Sequence, residues 1–293
     1  MRLGPDLRGL VGLLLPYAVG LVALIVLPAI VTFGLALFEW DLLRPARFVG
    51  PANFQELLGD EVFRISLRNS LTFIAVAVPL RLLGALILAL LLHPRFRGAG
   101  AYRTAVYLPT FVPDVAYALL WLWILNPLYG PLNLILGAAG LPTPSWLTDP
   151  DAARWGIVLM STFTIGEGFL VALAVRAGLP SQLYELAELE GARPLHVLRR
   201  VTLPLMAPTL LLLLFRDTVY SFQVNFVPAL LVTDGGPPPY ATTYLPLFVY
   251  REGFEYLRYG YAAAATVMMF VVTGLIVYLQ WRVIHRWRRQ FAI

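Results

Sequence analysis

Long apolar segments dominate the sequence and alternate with shorter polar ones. Six of them, each about as long as a membrane-spanning helix, cover residues 10–38, 71–92, 104–125, 155–177, 205–232 and 261–283. Hydrophobic residues make up 59% of the chain and charged residues only 13%, about half the charged share of a soluble protein. The pattern predicts an all-α membrane protein with six transmembrane helices, forming a single domain over residues 1–293.

The polar segments between the predicted spans indicate how the chain crosses the membrane. If the N-terminus is cytoplasmic, the cytoplasmic segments contain thirteen arginines and four acidic residues, and the external segments contain seven arginines and ten acidic residues. Cytoplasmic loops of membrane proteins are enriched in basic residues. Both termini are therefore predicted to be cytoplasmic.

Residue types that the chain lacks exclude several kinds of site. All 22 basic residues are arginine, so the chain has no lysine for a P-loop nucleotide site or a Schiff base. It also has no cysteine, and its three histidines, His93, His196 and His285, lie far apart in the sequence. We predict no catalytic residue and no metal site. The arginines are dispersed among apolar spans, which argues against nucleic acid as a partner.

A polar segment between the fourth and fifth spans has the sequence YELAELEGARPLHVLRRVTLP, residues 184–204. Glu185, Glu188 and Leu189 lie at i, i+3 and i+4, which predicts a short amphipathic helix. Gly191 is predicted to form a turn, and Pro194 to begin a second helical piece, where proline is tolerated. Such a protrusion is suited to contact a partner outside the bilayer.

The spacing of residues in this segment resembles the EAA loop of ATP-binding-cassette (ABC) importer permeases, and we assign a coupling loop to about residues 180–204. The family pattern is E-A-A, three residues, G, nine residues, then I-x-L-P. The matching residues are Glu185, Ala187, Gly191, Leu203 and Pro204. Leu186 and Val201 depart mildly from the pattern. By this resemblance Glu185 is a polar contact with an ATPase subunit, Ala187 keeps the contact face small, and Gly191 allows a sharp turn.

Other short segments resemble the carbohydrate-uptake branch of these permeases, of the maltose, trehalose and glycerol-3-phosphate type, and specifically the first of its two non-identical permease subunits. They include Trp40-Asp41-Leu42, Phe48-Val49-Gly50, Trp146-Leu147 and Gly235-Gly236-Pro237. The resemblance implies a type I ABC importer permease fold in the bacterial or archaeal cytoplasmic membrane.

The same resemblance implies partners and excludes enzymatic activity in this chain. The partners are a second homologous permease subunit, two copies of a cytoplasmic ATP-binding subunit, an extracytoplasmic solute-binding protein, a sugar substrate and membrane lipid. ATP and Mg²⁺ would be bound by the ATPase subunits, so no cofactor is expected here. The substrate expected is a mono-, di- or short oligosaccharide, with a maltose- or trehalose-like sugar favoured.

Polar residues inside the fourth and fifth spans are the candidate substrate contacts, because such residues are costly in a bilayer. Asp217, Ser221 and Asn225 lie at i, i+4 and i+8, and Thr164 shares a face with Glu167. The resemblance aligns several fifth-span residues with sugar-contacting positions, and Phe222 is suited to stack on a sugar face. The predicted substrate-binding residues are Thr164, Glu167, Asp217, Thr218, Ser221, Phe222 and Asn225.

Three alternatives remain open at this point. Glu167, Arg216 and Asp217 are also suited to a structural ion-pair network between helices, and Arg81 and Asp114 are more often found in structural or interfacial roles. An ion-coupled secondary transporter would use Glu167 and Asp217 as ion sites, although such carriers commonly contain paired repeats with broken helices, which we do not find in the sequence. Glycerol-3-phosphate would be repelled by these two acids, so a neutral sugar is favoured.

Overall fold

Helices account for nearly all the secondary structure in the computed structural model, which describes residues 5–93, 96–238 and 240–290. Four of the helices are long and apolar enough to cross a membrane: Gly12–Leu35, Glu61–Leu92, Pro194–Leu231 and Tyr259–Ile284. They correspond to the first, second, fifth and sixth predicted spans. Two bent helix pairs raise the number of candidate spans to six. The prediction of an all-helical membrane protein is confirmed.

The first predicted span contains α1 (Pro5–Leu21) and α2 (Leu27–Leu35), joined through a π-helical turn at Val22–Val26. The second lies within α4 (Glu61–Leu92), which begins ten residues before the apolar segment. Its polar first turns are stabilised by contacts with a later loop, because Asn69 donates hydrogen bonds to the carbonyls of Tyr240 and Thr243.

The third and fourth spans are broken, which the sequence analysis did not predict. Helix α5 (Ala99–Tyr107) continues as a 3₁₀ turn at Leu108–Phe111 and is followed by α6 (Asp114–Ile124) after a bend of 104°. Helices α8 (Pro150–Thr162) and α9 (Gly166–Ala177) meet at a bend of 42°. The first break follows Pro109 and Pro113, which interrupt helical hydrogen bonding.

The segment between the fourth and fifth spans forms two short helices, α10 (Ser181–Leu189) and α11 (Pro194–Val197). A π-helical turn at Leu198–Thr202 joins α11 to α12 (Leu203–Val224), and α13 (Phe226–Leu231) completes the fifth span. The long helix therefore begins outside the predicted apolar segment and includes the basic residues that precede it.

The remaining elements are short, apart from the last helix. Strands β1 (Phe38–Glu39) and β2 (Arg47–Phe48) pair antiparallel. The helices not yet described are α3 (Ala52–Gly59), α7 (Pro131–Ala138), α14 (Leu245–Tyr250) with a π-helical turn at Arg251–Glu255, and α15 (Tyr259–Gln290).

The chain divides into two compact units, the first formed by residues up to 63 with residues 248–272, and the second by residues 64–247 with those from 273 onward. In the first unit Arg258 pairs with Glu56 and, at 3.2 Å, with Glu252, while Tyr261 donates to Asp60 at 2.7 Å. Burial raises the pKa of Glu252, and the charge of Arg258 partly offsets this effect. These contacts link the chain around α3 to the start of α15.

The second unit contains an apolar core formed by α4, α9 and α12. Its buried residues include Ala85 and Ala89 of α4, Phe169 and Ala172 of α9, and Met206 of α12. Small residues at helix contacts allow the helix backbones to approach closely, which is the usual way that helices associate in a bilayer. This core fixes the relative positions of three of the helices that surround the candidate site.

Candidate functional site

A cavity of about 100 Å³ lies in the second unit, among the breaks of the third and fourth spans and the middle of α4 and α12. Polar side chains from four segments line it, namely Arg81, Thr110, Asp114, Tyr117, Ser161, Thr164, Glu167, Arg216, Asp217, Tyr220 and Asn225. Two arginines and three acidic residues therefore face one small space. A polar cavity within an apolar helical unit indicates a functional site rather than a core.

The helix breaks determine where two of the acidic side chains lie. Asp114 is in the first turn of α6 and Glu167 in the first turn of α9, immediately after each break. Negative side chains are stabilised at a helix N-terminus by the helix dipole. The two breaks also pack together, since a Cβ on Gly166 would lie 2.8 and 2.9 Å from side-chain atoms of Thr110 and Tyr107.

Arg81 and Asp217 form a buried ion pair between α4 and α12. The Nε of Arg81 lies 3.1 Å from a carboxylate oxygen of Asp217, and the two side chains are 5% and 17% exposed. The Nη2 of Arg81 also donates to the hydroxyl of Ser221, one turn after Asp217. Because a buried charge is tolerated only when it is paired, each residue of this pair depends on the other.

Arg216 and Glu167 form a second ion pair, between α12 and α9. Their side chains are about half exposed, and the Arg216 guanidinium also lies 4.8 Å from the ring centre of Tyr220. The sequence analysis left open a network of Glu167, Arg216 and Asp217. The structure instead contains two pairs, in which Arg81 is the hydrogen-bonded partner of Asp217.

Four of the seven predicted substrate-binding residues line the cavity: Thr164, Glu167, Asp217 and Asn225. The other three are buried and are not part of the lining. Ser221 is bonded to Arg81, Thr218 accepts a hydrogen bond from Gln280, and Phe222 is 2% exposed. Successive helical residues differ by about 100° in direction, so Thr218 and Phe222, each one residue after a member of the stripe, point in another direction than the stripe does. In this conformation Phe222 is not accessible to a sugar, and the substrate roles of these residues remain predictions.

The sequence analysis gave Arg81 a structural or interfacial role but did not identify its partner, Asp217. The sequence feature that pointed to Arg81 was its charge in the middle of an apolar span, because a charged side chain inside the bilayer is costly unless it is paired or functional. Its partner lies 136 residues away in the sequence, and spacing alone does not reveal such a contact. Ser161 and Tyr220 also line the cavity without having been predicted.

The size of the cavity limits what it holds in this conformation. A volume of about 100 Å³ accommodates a few water molecules, whereas ligand pockets usually measure about 300–1,000 Å³. A sugar ring therefore requires the cavity to widen. The two helix breaks provide positions where such a movement can occur with little loss of backbone hydrogen bonding.

The predicted coupling loop has the expected local structure. Helix α10 ends at Leu189, and Gly191 follows in the left-handed conformation with φ of +67°. The amide of Ala192 donates to the carbonyl of Ala187 at 2.9 Å, the hydrogen bond that closes a Schellman motif. Pro194 then begins α11.

Three apolar side chains of α10 are exposed. Leu183, Leu186 and Leu189 are 38%, 58% and 86% exposed, and their three-residue spacing places them on one face. Glu185 is also exposed and Ala187 is half-buried. Because isolated apolar helix faces are unfavourable in water, this face is a candidate docking surface.

Two side-chain contacts attach α10 to the adjoining helices. The hydroxyl groups of Tyr184 and Thr202 are 3.1 Å apart, and the guanidinium of Arg176 lies 4.2 Å from the ring centre of Tyr184. Leu203 and Pro204 are half-buried in the first turn of α12, directly after Thr202. Tyr184 thus connects α10 to the C-terminal end of α9 and to the residue just before α12.

Comparison with known proteins identifies a family for most of the chain. Residues 82–290 match the family model described as "Binding-protein-dependent transport system inner membrane component". The matched region includes α10 and every cavity-lining residue discussed above except Arg81, which lies immediately before it.

Two relatives and one solved structure show similarity over most of their lengths. The chain is 31% identical to the trehalose/maltose transport system permease protein MalF of Thermococcus litoralis, over 94% of this chain and 93% of the relative. It is 33% identical to the sn-glycerol-3-phosphate transport system permease protein UgpA of Agrobacterium fabrum, over 82% of each. The structure is a chain of a bacterial alginate ABC transporter in complex with an alginate pentasaccharide-bound periplasmic protein, with a TM-score of 0.82, 26% identity and 96% coverage of both chains.

One step of the sequence analysis was wrong. The sequence analysis predicted no broken helices, and their absence was used against an ion-coupled transporter, but two spans are broken. Irregular backbone at membrane depth occurs wherever it lines a cavity within the protein, so the breaks do not distinguish the two classes. The family match makes that distinction.

Proposed function

The chain belongs to the family of binding-protein-dependent transport system inner membrane components, and from this premise we propose that it is one permease subunit of an ATP-driven importer of a neutral sugar. The sugar is a mono-, di- or short oligosaccharide, with maltose or trehalose favoured. It passes through the cavity among α4, α6, α8, α9 and α12 by alternating access, with ATP hydrolysed by a separate subunit.

The cavity lining is the observation that carries this assignment. Its charged groups are largely neutralised within the protein, as Arg81 pairs with Asp217 and Arg216 pairs with Glu167. Uncharged hydrogen-bonding groups complete the lining, among them Ser161, Thr164, Tyr220 and Asn225. A neutral ligand with many hydroxyl groups matches such a surface better than an ion does.

The α10 segment supports a coupling role for the predicted loop. A helix with an exposed apolar face and exposed acidic groups is suited to seat in a groove of a partner, where it transmits a rigid-body movement. Glu185 and Ala187 would contact the ATPase subunit, Gly191 would shape the turn, and Leu203 with Pro204 would receive the movement at the start of α12.

A small cavity in one chain is consistent with a partner that supplies further walls. We propose that a second, homologous permease subunit completes the pathway, that two ATP-binding subunits bind the cytoplasmic loops, and that an extracytoplasmic protein delivers the sugar. The orientation with both termini in the cytoplasm, proposed from the arginine distribution, places α10 on the ATPase side.

Glycerol-3-phosphate is the second candidate substrate, because a relative 33% identical carries that name. A phosphate dianion needs arginines or helix N-termini that are free to bind it. Both cavity arginines are paired with acids, and three acidic residues against two arginines give the lining a negative formal balance. The same balance disfavours an acidic polysaccharide.

The experiment that tests the proposal is uptake into proteoliposomes. The chain is co-expressed with its genomic neighbours, purified as a complex and reconstituted with its solute-binding protein and internal ATP. Radiolabelled maltose, trehalose, glycerol-3-phosphate and an alginate oligosaccharide are supplied in turn. We expect ATP-dependent uptake of a neutral sugar. Uptake of only the anions would contradict the substrate, and uptake driven by a proton gradient without ATP would favour an ion-coupled transporter.

Gly191→Val is expected to lower both ATPase co-purification and uptake at least about tenfold. Gly191 has a φ of +67°, a conformation that β-branched residues adopt only under strain, so the turn after α10 should rearrange. Gly191→Asn is the matched control. Asparagine tolerates this conformation, and no described atom lies within 4 Å of an added Cβ. Wild-type association of the Val variant would show that the turn geometry is not needed for coupling.

A further inference from the structure

The cavity contains buried hydrogen-bonding atoms that the protein does not satisfy. Within residues 5–93, 96–238 and 240–290, the Nη1 of Arg81 and both polar atoms of the Asn225 amide have no hydrogen-bond partner. Arg81 is 4% exposed and Asn225 is 1% exposed. Unsatisfied buried polar atoms are rare in native proteins, and each destabilises the fold, so they point to a bound group.

Arg81 and Asn225 both line the cavity of about 100 Å³. Arg81 also donates to Ser221, which lies one helical turn before Asn225, the residue that follows α12. The Arg81 guanidinium cannot swing freely, because its Nε is bonded to Asp217 and its Nη2 to Ser221. Its remaining nitrogen is therefore held in place as a donor, in a residue that shares the cavity lining with Asn225.

The unsatisfied atoms comprise two donors and one acceptor. Exchanging the nitrogen and oxygen of the Asn225 amide leaves this set unchanged, so the argument does not depend on how the amide is oriented. A carboxylate or phosphate offers only acceptors and would leave the amide oxygen unpaired. A hydroxyl group both donates and accepts, and two adjacent hydroxyl groups can satisfy all three atoms.

We infer that Arg81 is a substrate-binding and specificity-determining residue, whose Nη1 acts with the Asn225 amide to hold two neighbouring hydroxyl groups of the sugar. The inference rests on the proposed function and deepens it, since it names the part of the sugar that this cavity recognises. Asp217 and Ser221 are positioning residues, because they orient the guanidinium. The ion pair that fixes Arg81 thus also prepares it for the ligand, with little conformational entropy lost on binding.

The test is a double-mutant cycle between the protein and the sugar. Wild type and Arg81→Lys complexes are reconstituted with binding protein and ATPase subunits, and uptake is measured for maltose or trehalose, whichever wild type carries faster. Each monodeoxy analogue of that sugar is measured in parallel. Lysine preserves the positive charge opposite Asp217 but lacks the forked guanidinium, so the ion pair is kept while the third donor nitrogen is removed. The amount of assembled complex is determined for every variant.

The quantity that decides is the ratio of uptake of the parent sugar to uptake of each analogue. Discrimination by the binding protein is the same for both complexes and cancels when their ratios are compared. We expect Arg81→Lys to reduce this ratio roughly tenfold or more for one analogue or for two with adjacent deoxy positions, because a hydrogen bond to a charged group is lost. The other analogues should show unchanged ratios.

Arg216→Lys is the matched control, since Arg216 is the other arginine of the cavity and is paired with Glu167. This variant should change the uptake of the parent sugar and of every analogue by the same factor, so that its ratios equal those of wild type. A common factor for Arg81→Lys as well would overturn the inference and leave Arg81 a structural residue whose third nitrogen binds water, while the proposed function would stand. If wild type carries no neutral sugar, the proposed function fails and the inference fails with it.

Discussion

Gly260→Ala is expected to prevent the first unit from folding normally. A Cβ at residue 260 would lie 1.8 Å from the carbonyl oxygen of Phe38 and 2.9 Å from its carbonyl carbon, so backbone must move to accommodate it. The surrounding contacts resist that movement. Asn53 donates to the same carbonyl of Phe38 at 2.9 Å, and the amide of Tyr259 donates to the carbonyl of Trp40 at 3.0 Å. We expect a destabilisation of about 3 kcal/mol or more, at the upper end of overpacking effects.

The measurement is the fraction of monodisperse protein after detergent extraction, together with its melting temperature. Gly274→Ala is the matched control, because Gly274 lies in the same helix and its added Cβ meets no described atom within 4 Å outside its own helical turns. Alanine favours a helix over glycine by up to about 1 kcal/mol, so this control should be as stable as wild type or slightly more. Equal yields for the two variants would contradict the close contact between residue 260 and the carbonyl of Phe38.

The sequence predicted the number of spans because length and hydrophobicity alone decide whether a helix crosses a bilayer. It did not predict the ends of the helices. Helix α4 begins ten residues before its apolar segment, since Asn69 bonds to a loop more than 170 residues away. The break at Pro109 and Pro113 had a visible signal. The bend between Thr162 and Gly166 had none, because it depends on close packing of Gly166 against Thr110.

The candidate site was also predicted only in part, because spacing in the sequence shows which residues share a helix face but not which helices pack together. The spacing of Asp217 and Asn225 within one helix was sufficient to place both on a common face, and both line the cavity. Which arginine neutralises Asp217 depends on how α4 packs against α12, and that is a tertiary contact. The coupling loop was predicted more completely, because its helix, its glycine turn and its Pro194 are local features.

Asp217→Leu is expected to destabilise the second unit strongly. It leaves the Arg81 side chain, which is 5% exposed, as a buried charge without its carboxylate partner. Breaking one side of a buried ion pair costs about 3–5 kcal/mol, which corresponds to a loss of roughly 10 °C in melting temperature for a protein of this size. The melting temperature of the purified chain in detergent is the measurement.

The double variant Arg81→Met with Asp217→Leu separates the stability of the pair from its function. Replacing both charges by apolar side chains of similar volume is often neutral or stabilising, so the melting temperature should return to within a few degrees of wild type. Sugar uptake should not return, because the double variant lacks the guanidinium that orients the ligand beside Asn225. Recovery of both properties would mean that the pair serves only to hold α4 against α12. Recovery of neither would mean that the cavity requires a charge at these positions in order to fold.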